Sequence, residues 1–254
     1  SSTIKAYLNF ALELRSFLRQ HETIDETIAI VKDQLAQRND NFLKTLRTNV
    51  YEYPKSPYLK LLQAANITYE DVVKMVTESG LETTLESLYE AGIYVTFEEL
   101  KGREPIIRNG IEMQVTVSDF DNPNLKPFML GQSDGSTGAP TRTRIDLDHV
   151  RQNTRITNLV WHLDEITNVP TANWFGLMPI TPGYTTGLRL ARSGYRLDKF
   201  YTSTRTSGAS PRWLFTIMSY LLVLMVRFQG RYFPFPEYVP HDDPLPIAKW
   251  IGSM

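Results

Sequence analysis

Apolar residues recur at helical spacing over the first third of this chain. Ile4, Tyr7, Leu8, Ala11, Leu14 and Leu18 fall on one helical face, with Ser2 or Thr3 available as N-cap. Ile24, Ile28, Val31 and Leu35 form a second stripe behind Thr23-Ile24-Asp25-Glu26, which has the form of a capping box. The two stripes predict an antiparallel helical pair that caps the main body over residues 1–53, or serves as an oligomerisation or docking hairpin. From Ser56 to Glu104 the pattern stays helical in short pieces, broken at Gly80, Gly92 and Gly102, with a further capping box at Thr96-Phe97-Glu98-Glu99.

The period then changes from helical to two. Ile111 to Val117 alternates apolar and polar, and Asp121-Asn122-Pro123-Asn124 supplies a turn before the apolar run Pro127-Phe128-Met129-Leu130. A β-hairpin is therefore expected to deliver the chain into Gly131-Gln132-Ser133-Asp134-Gly135-Ser136-Thr137-Gly138-Ala139-Pro140-Thr141-Arg142. Beyond it, Leu147 to Thr167 reads as a helix, Asn173 to Met178 as a buried strand and Tyr184 to Arg192 as a helix. Leu197 to Thr204 reads as a strand and the run from Trp213 to Val226 as a helix. Alternating helix and strand predicts a mostly parallel, two-sided α/β sheet, with ligands gathering beyond the carboxyl ends of its strands. The segment from Met178 to Gly187 would sit at such an end. The fold class expected is thus α/β, with a helical N-terminal region, a hairpin and a mostly parallel sheet flanked by helices.

The glycine-rich stretch carries the chemistry. Glycine reaches positive φ without steric cost, so such a loop can turn successive backbone N–H groups inward and form a concavity that attracts anions. Ser136 and Thr137 add hydroxyl donors. A strand, a glycine loop and a second strand over Thr141 to Ile145 is the layout expected. Walker A is excluded because no Lys lies between Lys126 and Lys199, and the dinucleotide fingerprint cannot be laid on Gly131, Gly135 and Gly138. The alternative is a solvent-exposed hairpin turn of ordinary turn composition.

Six residues of this loop, Ser133, Gly135, Ser136, Thr137, Gly138 and Pro140, stand in register with the Ser/Thr-rich phosphate loop of the adenylate-forming superfamily, which the loop resembles. Asp134 stands where that pattern has a second Ser, and Thr141-Arg142 where Lys is common. Upstream, the segment from Lys55 to Ile67, with Ser56-Pro57-Tyr58, is similar to the one that opens phenylacetate-CoA ligase-like enzymes and acyl-protein synthetases. The resemblance spans Ser56 to the C-terminus. It implies ATP-dependent activation of a carboxylic acid as an acyl-adenylate, with transfer to a thiol such as CoA. ATP with Mg²⁺ would be bound by Ser133, Asp134, Gly135, Ser136, Thr137, Gly138 and Arg142, with Arg142 standing in for the missing Lys. Tyr184 would line the acyl pocket, or simply pack as an aromatic beside the Pro182-Gly183 turn. Residues 54–254 would form part of the adenylating domain. Adenine- and ribose-binding residues and the catalytic Lys are expected beyond Met254, leaving the fragment inactive by itself. The other reading is a non-catalytic binding or scaffold protein that retains the adenylating fold.

Composition narrows the classes. Lys and Arg total 27 against 28 Asp and Glu, with no dense basic run, which argues against a nucleic-acid partner. The absence of cysteine excludes disulfides, thiolate metal sites and a Cys nucleophile, and fits a cytoplasmic enzyme. His21, His149, His162 and His241 show no metal spacing, and Asp146, Asp148 and Asp164 read as helix caps or solvated acids, so no protein-built metal site is expected. The apolar run from Trp213 is shorter than the roughly 20 residues that span a bilayer, and Pro211 and Gly230 punctuate it as a core helix. Ser1 to Gln20 lacks the layout of a signal peptide. The partners expected are a small carboxylate substrate and no nucleic acid, with no membrane span and a homodimer left open.

Overall fold

The computed structural model describes residues 2–20, 22–125, 129–132, 142–166, 169–178, 181–204 and 213–254, without the side chains of 2–9, 129–132 and 142–143. The chain divides into two compact units, one of residues 1–28 with 126–254 and one of residues 29–125. The boundary expected after Tyr53 falls inside the second unit.

In the second unit, α3 (Arg38–Leu46) passes through a π-type turn into α4 (Pro57–Ala64), followed by α5 (Tyr69–Glu90) and α6 (Phe97–Leu100). Thr68 and Asp71 close a capping box on α5, as Thr96 and Glu99 do on α6. Gly80, at φ 81° and ψ 169°, divides α5 into two helical runs. Leu62, Val72, Val76 and Leu88 form one core, and Leu61, Ile106, Met113 and Val115 another. α4 carries the Ser56-Pro57-Tyr58 segment, with Pro57 in its first turn and Leu61 and Leu62 fully buried.

β1 (Ile106–Arg108) and β2 (Ile111–Met113) form a tight hairpin in the register Arg108↔Ile111. Asn109 and Gly110, at φ 52° and 75°, make its two-residue turn, because a type I′ turn needs positive φ at both positions. This corrects the hairpin expected between Ile111 and Leu130. β2 pairs backward with β1, and the chain then leaves the strand through a 3₁₀ turn over Val117–Phe120.

The first unit begins with α1 (Ser2–Arg19), whose Phe10, Leu14, Phe17 and Leu18 are buried. α2 (Ile24–Ala36) runs across the boundary between the units, and its Thr23–Glu26 capping box is formed, with Glu26 N donating to Thr23 Oγ1 at 3.2 Å. β3 (Met129–Gln132) and β4 (Arg142–Ile145) pair antiparallel, and Asp146 caps α7 (Leu147–Leu163) by accepting from His149 N at 2.7 Å. β5 (Ala172–Trp174), α8 (Pro182–Ser193), β6 (Lys199–Thr202), α9 (Trp213–Phe228), β7 (Pro236–Tyr238) and α10 (Leu245–Gly252) follow. β5, β6 and β7 form a parallel sheet in that order, so the fold class is α/β.

α1 packs principally on α7 and α8. Phe10 and Phe17 lie on the buried face of α1 with Leu14 and Leu18, whereas Ala11 is exposed. These rings join Val150 of α7, Leu188 and Tyr184 of α8, Phe200 of β6 and Val226 of α9 in one core. α9 is apolar on both sides: Ser219, Leu222, Val223 and Val226 face the core, whereas Leu214, Ile217, Leu221, Leu224 and Phe228 are exposed. No helix among the described residues is long and apolar enough to cross a membrane.

Candidate functional site

Antiparallel pairing of Met129 with Ile145 and of Gln132 with Arg142 closes β3 onto β4 at the two ends of the Ser133 to Thr141 segment. The two strands expected on either side of the glycine run are therefore present. Ser133, Asp134, Gly135, Ser136, Thr137 and Gly138 lie outside the described residues, and Arg142 opens β4 opposite Gln132. One residue beyond β4 stands Asp146, so β4 feeds directly into the capped N-terminus of α7.

At the carboxyl ends of the parallel strands, side-chain hydrogen bonds hold the chain after β5 and β7. Phe175 N donates to Tyr201 O at 3.1 Å, continuing the ladder past β5. Leu177 N donates to Thr204 Oγ1 and Met178 N to Ser219 Oγ, each at 3.3 Å. Trp174 Nε1 donates to Val239 O at 3.3 Å, and its ring lies 5.1 Å from that of His241. Asn173, 8% exposed, donates through Nδ2 to Gly183 O at 3.0 Å and so ties β5 to the first turn of α8. These contacts gather the ends of all three strands, the position from which a doubly wound sheet presents a ligand site.

Tyr184 is fully buried on α8, with ring centroids 5.0 Å from Phe200 and 6.5 Å from Phe233. Its surroundings are those of a core aromatic. Gly187, one helical turn on, lets Phe233 approach the α8 backbone so closely that a Cβ there would overlap the ring. Asp146 is a helix cap, as its spacing suggested, and Asp164 occupies the C-cap position of α7. Among the described residues no three His, Asp or Glu side chains gather as a metal site.

Two charged clusters escaped the sequence pattern. Glu22 takes a bidentate pair from Arg155, at 2.7 Å to each oxygen, and a further hydrogen bond from the buried Arg192. The Arg155 hydrogen bond outweighs burial and holds the Glu22 carboxyl below its usual range. The second cluster surrounds a cavity of about 490 Å³ between the sheet and α10. Glu22 meets Arg155 and Arg192, and Lys199 meets Glu237, across long stretches of chain, so neither cluster shows as a local motif. No protein-family model, curated protein or solved structure matches this chain.

Proposed function

We propose that this chain carries the phosphate-gripping part of an ATP-dependent, carboxylate-activating ligase of the adenylate-forming kind. The observation that supports it is the antiparallel closure of β3 on β4 at Gln132 and Arg142, which brings the two ends of the Ser/Thr/Gly run together. In such a loop the amides and hydroxyls of Ser133, Gly135, Ser136, Thr137 and Gly138 hold the β- and γ-phosphates of ATP, entering with Mg²⁺. Arg142, at the foot of the loop, contributes the fork that Lys supplies elsewhere. Binding pyrophosphate oxygens there stabilises charge on the leaving group while a carboxylate oxygen attacks the α-phosphorus. That displacement breaks the bond to the bridging oxygen and gives an acyl-adenylate and pyrophosphate. A thiol such as CoA then takes the acyl group and releases AMP.

The test is ATP–pyrophosphate exchange across a panel of carboxylic acids, with calorimetry of Mg–ATP binding alongside. Exchange that disappears in the S136A/T137A double variant supports the ligase. Nucleotide uptake without exchange for any acid favours the scaffold reading instead, and no uptake at all removes the assignment.

A further inference from the structure

The parallel sheet has one face in the core and one outside it. Along β6 the side chains alternate, so Phe200 enters the core with Tyr184 and Phe233 while Lys199 and Tyr201 take the opposite face. α10 covers part of that opposite face, its Trp250 ring 6.4 Å from Tyr201 and edge-on to it. The cavity between them, about 490 Å³, is lined by the charged side chains of Arg196, Asp198, Lys199, Arg227 and Glu237 and by the aromatic Tyr232, Phe235 and Trp250. That volume falls within the roughly 300–1,000 Å³ of small-molecule sites.

The charges of this groove do not cancel. Lys199 Nζ donates to Glu237 Oε1 at 2.7 Å, and Arg196 Nε lies 3.0 Å from Asp198 Oδ1, so two cations have their own carboxylates. Arg227 is the third cation. Among the described residues no carboxylate lies within ion-pair distance of it, and its Nε donates to Phe233 O at 3.0 Å. That bond anchors the guanidinium, whose central carbon lies 4.7 Å from the Phe235 ring centroid and 5.5 Å from that of Tyr232. Arg196 stacks on the same Tyr232 ring at 4.2 Å, so two guanidinium groups converge on one aromatic wall. A guanidinium anchored through its Nε on the wall of a groove is suited to capture of a planar oxyanion by its terminal nitrogens. The surplus of one positive charge matches a monoanion, and the indole of Trp250 offers an apolar surface beside it.

We propose that this groove is a binding site for a small aromatic carboxylate, whose oxygens are held by Arg227 and whose ring packs against Trp250. It shares no residue with the glycine loop and stands without the ligase reading. The experiment is calorimetric titration of the protein with benzoate, phenyl phosphate and benzylamine, with no nucleotide present, so that its failure leaves the ligase question untouched. Saturable benzoate binding is expected, weakened at least tenfold by Arg227→Gln and by Trp250→Ala, and no weaker in Glu237→Gln, which removes a negative charge. Circular dichroism checks that each variant is folded. Trp250→Ala keeps the test decisive if Arg227→Gln loses its fold through the lost Phe233 bond. Absence of saturable benzoate binding, or a dissociation constant unchanged in folded Arg227→Gln or Trp250→Ala, overturns the site. Tighter binding of phenyl phosphate or benzylamine than of benzoate overturns the carboxylate assignment.

Discussion

Arg192 Nη2 donates to Glu22 Oε1 at 3.0 Å although 170 residues of chain separate them. The Arg192 side chain is only 3% exposed, and its other terminal nitrogen donates to the carbonyl of Phe17, over whose ring the guanidinium lies at 5.0 Å. Arg155 reaches the same Glu22 from α7. One carboxylate therefore ties the end of α1 to both α7 and α8, and a charge buried this deeply depends on it.

Removing that carboxylate leaves two arginines without their acid. Glu22→Ala is expected to destabilise the first unit by about 2–3 kcal/mol, at or below the lower end for broken buried pairs because Glu22 keeps some exposure. Urea denaturation followed by circular dichroism measures it. Arg38→Ala, which breaks the exposed pair with Glu82, is expected to leave the midpoint in place.

The same carboxylate gives the stability a pH dependence of known sign. Glu22 titrates below its ordinary range in the folded protein, chiefly through the Arg155 hydrogen bond. A depressed folded value means that the unfolded chain binds the proton first as acid is added. The contribution is therefore complete above the ordinary carboxyl range and lost as pH falls through the folded value. Urea midpoints measured from neutrality into acid should fall, and less steeply in Glu22→Gln.

Gly187→Ala tests the contact between α8 and Phe233. A methyl group there meets the ring itself, and neither the helix backbone nor a ring packed between Tyr184 and Phe200 can withdraw cheaply. A loss of about 3 kcal/mol or more is expected, read as a lower thermal midpoint. An equal midpoint would show that Phe233 does not pack on this helix.

In the second unit, Arg108 is paired with Glu99, donates to Tyr94 O at 2.6 Å and stacks on the Tyr94 ring at 3.9 Å. Burial pushes the Glu99 carboxyl up, but the Thr96 amide and the Arg108 guanidinium outweigh it and hold the carboxyl below its usual range. Arg108→Met is expected to cost about 3 kcal/mol by leaving Glu99 buried without its cation. Thr96→Ala, which removes only the cap, should cost about 1 kcal/mol. Comparing the two urea midpoints separates the pair from the cap.

Tyr184 separates packing from a pocket role. Tyr184→Phe keeps the ring against Phe200 and Phe233 and should cost at most about 1 kcal/mol. Tyr184→Ala should cost about 3–5 kcal/mol. A thermal midpoint unchanged in Tyr184→Ala would show that the ring is not part of the core.

Local signals in the sequence were strong where local physics decides. Thr23 with Glu26 and Thr96 with Glu99 form capping boxes because cap and partner lie three residues apart on the same turn. The helices from Leu147, Tyr184 and Trp213 follow from periodicity in the same way. Asn109-Gly110 carries an equally local signal for a two-residue hairpin, whereas the alternation of Ile111 to Val117 leaves the strand's partner undetermined. β7 offered little to read: three residues beginning with Pro236, at a sheet edge where the missing N–H is tolerated.

By itself the sequence determined the helices and their caps, the strand–loop–strand order around the glycine run and the alternation that makes a parallel sheet, all of which depend on neighbours within a few positions. Only the tertiary structure decided that α1 joins the core beside α8 and that Glu22 meets Arg155 and Arg192. It alone decided that Tyr184 is packed by Phe200 and Phe233, and that Arg196 and Arg227 share the Tyr232 ring. These pairings join residues from separate elements, and burial, charge and ring geometry select them only once the chain has brought those elements together.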